Sequence, residues 1–141
     1  MERRIHVTAV VVCDPSGNVL LVRKRGTEMW MNPGGKPEDG ETPEQCGARE
    51  VREELGLVLD PLRLEPLGLF EAAAANEPDH TVVAHVFRWP DPIPGPVRPA
   101  AEIDAVRWSD PAVARGGSDH TLAPLYTGAI APLLARGGDP S

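Results

Sequence analysis

Apolar and β-branched residues gather early in the chain in two short runs, Ile5 to Val12 (IHVTAVVV) and Asn18 to Arg25 (NVLLVRKR), with Asp14-Pro15-Ser16-Gly17 between them. Such runs parted by turn-forming residues predict two strands joined as a hairpin. Glu28 to Met31 predicts another short strand. It leads into Asn32-Pro33-Gly34-Gly35, where paired glycines after a proline allow backbone angles and close approaches that bulkier residues exclude, so a shaped loop is expected. Further on, Leu62 to Glu71 and Thr81 to Trp89 (TVVAHVFRW) predict strands, Ala105 to Trp108 a shorter one, and Ala72 to Ala75 a helical turn.

Between these strand patterns the period changes to that of a helix. Thr42 reads as an N-cap, Pro43 holds the favoured first helical position, Gln45 completes a Thr-x-x-Gln capping box, and Gly56 offers a left-handed stop. The helix is therefore expected from about Pro43 to Leu55. A second apolar stretch at near-helical spacing, Leu122 to Leu134, is expected to be shortened by Pro124 and Pro132, with a frayed tail from Gly137. Pro90 to Pro99 holds five prolines in ten positions; it cannot be a central strand and reads as a stiff, extended surface loop.

Composition narrows the class. A chain of 141 residues, 41% hydrophobic and 25% charged, suits one compact domain. It has no apolar run near the roughly 20 residues of a membrane span, and its charged first residues lack a signal peptide's apolar stretch, so a cytoplasmic location is expected. Cys13 and Cys46 lack the spacing of a disulfide framework or a zinc site and read as reduced thiols. A formal net charge of -7 argues against extended nucleic-acid binding, which needs clustered Lys and Arg; a phosphate ligand would need a cation as mediator.

Within the expected helix, Glu50, Glu53 and Glu54 stand at i, i+3 and i+4 on one face, while Ala48, Val51 and Leu55 line an apolar one. Three carboxylates this close repel one another by roughly 0.2–0.5 kcal/mol per exposed pair, so something positive is expected among them. Alone, the trio fits an ordinary solvated acidic face. Beside a glycine-rich loop, the same hard oxygens suit Mg²⁺ or Mn²⁺ bridging to substrate phosphates.

Gly35 to Leu57, GKPEDGETPEQCGAREVREELGL, resembles the Nudix box at every defined position of G-x5-E-x7-R-E-U-x-E-E-x-G-U, with U apolar. The match comprises Gly35, Glu41, Arg49, Glu50, Val51, Glu53, Glu54, Gly56 and Leu57. This resemblance implies a single α/β domain with the Nudix fold, a mixed β-sheet sandwiched between α-helices. It implies a divalent-metal-dependent pyrophosphohydrolase that cleaves the diphosphate bond of a nucleoside diphosphate linked to another group. By the same resemblance Glu50, Glu53, Glu54 and the Gly34 carbonyl hold the metal, and Arg49 pairs with Glu41 and orients rather than attacks.

The general base is then Glu53 or Glu54, or a later glutamate, with Glu102 preferred over Glu77 and Glu71. Gly35 and Trp30 are the substrate-binding candidates, with Trp30 stacking on a base, while Phe70 reads better as core. The short chain and the Trp30 to Gly35 approach resemble the mutator-type, MutT-like subfamily that cleaves oxidised nucleoside triphosphates. The expected partner is a small nucleotide, and the expected assembly a monomer or homodimer. The alternative is a non-catalytic Nudix-like module that senses a nucleotide; such domains often lose box glutamates, and all are present here.

Overall fold

The computed structural model describes residues 3–115 and 119–137. Its strands are β1 (Arg3–Val11), β2 (Val19–Lys24), β3 (Trp30–Met31), β4 (Gly34–Gly35), β5 (Glu65–Ala73), β6 (His80–Arg88) and β7 (Ile103–Ser109). The helices are α1 (Pro43–Leu55), α2 (Pro111–Ala114) and α3 (Ala131–Gly137), with a 3₁₀ turn at Pro61–Arg63.

The expected hairpin exists only as its turn. Asp14 accepts from the backbone N–H groups of Ser16 and Asn18, and Leu20 N–H donates to Val12 at 2.8 Å. Beyond this the strands part into different sheets. β1 runs parallel to β6 and antiparallel to β4 in the order β4-β1-β6-β5, whereas β2 pairs with β3 and β7 in the order β3-β2-β7. The mixed sheet of the expectation is thus one mixed and one antiparallel sheet.

Strand alternation then builds two cores. Val10, Val12, Leu20 and Val22 face α1 through Ala48, Val51 and Leu55, while Ala9, Val11, Val19 and Leu21 face the C-terminal helical segment through Tyr126, Ile130 and Ala131. Helices therefore cover both sides, as the resemblance implies. Tyr126, fully buried, satisfies its hydroxyl by donating to Ser109 Oγ at 2.8 Å.

Two expectations fail on local grounds. Ala72 and Ala73 form no helical turn but extend β5, because pairing with Val82 and Thr81 of β6 outweighs the weak strand preference of alanine. Pro132 does not stop the C-terminal helix. A π-turn at Tyr126–Ile130, with Ala131 N–H bonded to Tyr126 O, comes just before it. The wider turn relieves the clash that a proline would make with the carbonyl four residues earlier, and the chain continues as α3. Of the tail expected from Gly137, Gly137 itself ends α3 and the rest lies outside the described residues.

The proline-rich segment is held against the body. Ile93 and Val97 pack on the α1 core, Ile93 N–H bonds Cys13 O, and Arg63 grips Asp91 with two bonds of 2.8 and 3.0 Å while lying over Trp89. Both cysteines are free thiols. Among the described residues no helix is long and apolar enough to cross a membrane.

Candidate active site

The geometry of the site starts from the ends of α1. Thr42 Oγ1 accepts from Gln45 N–H at 3.1 Å, Gln45 Oε1 accepts from Thr42 N–H at 3.0 Å, and Gly56 closes the helix at φ 69°. With Val51 and Leu55 turned inward, Glu54 falls on the buried edge at 2% exposure, Glu50 is mostly covered, and Glu53 is half exposed.

Glu54 meets the glycine loop, where Gly34 N–H donates to its Oε1 at 3.3 Å. Its Oε2 is buried and meets no donor, only the Glu50 carboxylate. Burial, and then the Glu50 carboxylate beside it, pushes Glu54 up to about 9.

The positive group expected among the glutamates is Arg49. Its guanidinium forks onto Glu41 at 2.7 and 3.0 Å and also donates to Glu50 at 2.8 Å, to Glu53 at 2.7 Å and to the Lys36 carbonyl. Those bonds hold the Glu41 carboxyl down at about 2 and raise Arg49 further above its ordinary value. A planar fork serving several acceptors ties the loop to the helix, which a lysine's point charge could not do. The three glutamates share a helix face without converging, and among the described residues no group of three His, Cys, Asp or Glu side chains is arranged to hold a metal ion.

The glycines have packing reasons. A side chain at Gly34 would come within 2.0 Å of the Thr8 carbonyl oxygen, and one at Gly35 within 2.5 Å of the Glu50 carboxyl carbon. The first contact is with backbone, the second with the movable end of a side chain. Gly35→Ala is accordingly expected to melt within a few degrees of wild type but to lose about tenfold in kcat/KM, because Glu50 must swing away. Parallel melts and initial rates check this; unchanged rates would show that the position of Glu50 is immaterial.

Beside this loop lies a cleft of about 410 Å³. Gly34, Gly35, Arg49, Glu50 and Glu102 line it, together with Lys24, Asn32, Lys36 and Glu77. Glu102, 3.9 Å from Lys24 through Oε1 to Nζ, follows Ala101, whose φ of 54° turns the chain into β7.

Trp30 does not join the cleft lining. Its ring packs against the second core, and the guanidinium groups of Arg23 and Arg107 stand over it at 5.0 and 5.2 Å, so the cleft lends no support to the expected base stacking on Trp30. Phe70 packs on that same core, as expected. Sequence reasoning missed Asn32, Lys36 and Glu38, the last a further acid 3.4 Å from Arg49. Lys36 and Glu38 fall in variable positions of the box, and the burial of Asn32 has no sequence signal.

Known proteins resemble this chain in sequence and in fold. The chain is 32% identical over 90 residues to an 8-oxo-dGTP diphosphatase from Proteus vulgaris, covering 61% of this chain and 76% of that protein. Over 55 residues it is 44% identical to an RNA pyrophosphohydrolase from Tolumonas auensis, 39% of this chain and 32% of the relative. A MutT protein from Methanosarcina mazei superposes with a TM-score of 0.76 at 22% identity, covering 98% of this chain and 97% of the other. The E. coli ORF135 protein gives 0.65 at 27% identity, covering 99% and 96%. A family model for the NUDIX domain matches residues 2–128, and the chain belongs to that family as a hydrolase of the diphosphate bond.

Proposed function

We propose that this enzyme hydrolyses nucleoside triphosphates, oxidised ones included, in the cytosol, with Mg²⁺ or Mn²⁺ as cofactor. The observation that carries the reading is Glu54, a buried carboxyl with one oxygen that meets no donor, set behind Gly34 and Glu50, which line the cleft together with Lys24 and Lys36. That oxygen and the other carboxylates are hard donors of the kind a divalent ion takes, but Glu50 and Glu53, now bonded to Arg49, would have to turn toward the ion. Glu50, Glu53, Glu54 and the Gly34 carbonyl would hold it. When bound it would polarise water and offset charge on the diphosphate.

The other roles belong to side chains of this protein. Lys24 and Lys36 attract phosphate oxygens into the cleft. Arg49 and Glu41 position the loop and helix and take no proton, since Arg49 is permanently charged and Glu41 stays ionised. The base that accepts the proton of the attacking water is Glu53 or Glu54, with Glu102, which lines the cleft, as the later-loop candidate. The subfamily reading draws on the Proteus vulgaris relative and on the MutT protein's fold.

A hydrolysis screen tests the proposal: standard and oxidised nucleoside triphosphates, nucleotide sugars, ADP-ribose, dinucleoside polyphosphates and capped RNA, each with Mg²⁺ and Mn²⁺. Preferred turnover of a triphosphate to monophosphate and pyrophosphate supports it. Preference for another diphosphate moves the substrate class, and nucleotide binding without turnover favours a sensor.

A further inference from the structure

One polar side chain beside the cleft has no role in the chemistry above. Asn32 is 7% exposed, its Oδ1 and Nδ2 are both withheld from solvent, and neither has a hydrogen-bond partner. Every other buried side-chain nitrogen or oxygen among the described residues is partnered, apart from Glu54 Oε2. Keeping an amide unpaired inside a protein costs stability, and an apolar residue of the same size would avoid that cost.

The backbone fixes where this amide lies. Asn32 follows β3, the next residue's carbonyl accepts from Val10 N–H at 2.9 Å, and Gly34 abuts Thr8 too closely to carry a side chain. Asn32 also contributes to the cleft wall, whose apolar part includes Ile5, Val7, Val82 and Leu125. A slot walled by aliphatic side chains accepts a flat ring but does not tell one ring from another. An amide supplies what the walls lack, two donors and an acceptor at fixed spacing.

We propose that Asn32 reads the base of the bound nucleotide, its amide pairing with a neighbouring donor and acceptor on the nucleobase edge while the aliphatic walls cover the ring. This rests on the reading of the cleft as a nucleotide site. Pairing requires the side chain to change its χ1 rotamer so that the amide, now withheld from solvent, faces the cleft; the broad χ2 then lets it match donor to acceptor. Asn32 is then a specificity residue: it acts on which base is held, and not on the bond that is cut.

The test is calorimetric binding of AMP, GMP, CMP, UMP and ribose 5-phosphate to the wild type, Asn32→Leu and Asn32→Asp, with melting curves for each. The wild type is expected to bind at least one nucleotide about tenfold more tightly than ribose 5-phosphate. Asn32→Leu should lose that preference, keep its affinity for ribose 5-phosphate, and melt no lower than the wild type. Asn32→Asp, which keeps the size but offers only acceptors, should weaken the preferred nucleotide by a similar factor and serves if the leucine variant does not fold. An unchanged preference in either folded variant overturns the proposal. So does an equal loss for nucleotide and ribose 5-phosphate, which would mark Asn32 as a support of the loop. A wild type that binds no nucleotide better than ribose 5-phosphate also overturns it, and turnover in the hydrolysis screen would then leave the hydrolase reading standing. Base-selective binding without turnover would do the reverse.

Discussion

Glu54→Gln and Glu53→Gln are each expected to lower kcat by at least about a hundredfold, some 2.7 kcal/mol of activation free energy, while the domain stays folded. The two positions test different parts of the site. Glu54 is buried against the glycine loop, and burial, with the Glu50 carboxylate beside it, raises its carboxyl and favours the neutral form when no cation is bound. Glutamine copies that neutral form in shape, so the melting temperature in EDTA should barely move while the ligand is lost. Glu53 is half exposed and held by Arg49 at 2.7 Å, so its replacement removes a ligand or base at little cost to packing. Steady-state rates and melting curves on the same preparations separate activity from folding. A near-wild-type rate in both variants would falsify the site assignment.

The parts of this site that were legible in the sequence are those fixed by local chemistry. Thr42, Gln45 and Gly56 mark the ends of α1, and the structure has the helix at Pro43–Leu55 with Val51 and Leu55 inward; the expected acidic face holds only in part, because Glu54 is buried alongside them. The pairing of Arg49 with Glu41 came from the family resemblance, and the two-bond fork bears it out.

What the sequence hid depends on contacts between distant segments. A turn at Asp14 looks the same whether its strands stay paired or separate, and only the parallel match of β1 to β6 pulls them into two sheets. The aliphatic stretch Leu122 to Leu134 shows its helical period, but not that a π-turn would carry it past Pro132. Trp30 lies two residues before the glycine loop, a position that suggests a substrate contact. Arg107, far along the chain on β7, helps cover its ring instead. Burial of Asn32 is likewise a tertiary fact.

A divalent cation is expected to stabilise the protein even without substrate, and the reason lies in the same carboxyls. Glu54 is buried with an oxygen that meets no donor, and Glu50 beside it disfavours its charge. An ion that binds the folded arrangement and not the unfolded chain shifts the folding equilibrium by mass action, about 2.7 kcal/mol at a hundred times its dissociation constant. For a domain of this size that corresponds to several degrees in Tm. Thermal melts in EDTA, Mg²⁺ and Mn²⁺ should show the rise, at matched ionic strength so that screening of the net negative charge cannot imitate it. Arg49 already neutralises part of Glu50 and Glu53, so the ion has to draw them from the guanidinium, and Glu54 is the ligand whose contribution is least shared. Glu54→Gln should therefore shrink the shift most. Equal shifts in wild type and variant would place the ion elsewhere, and no shift in the wild type would mean that substrate phosphates are needed to recruit it.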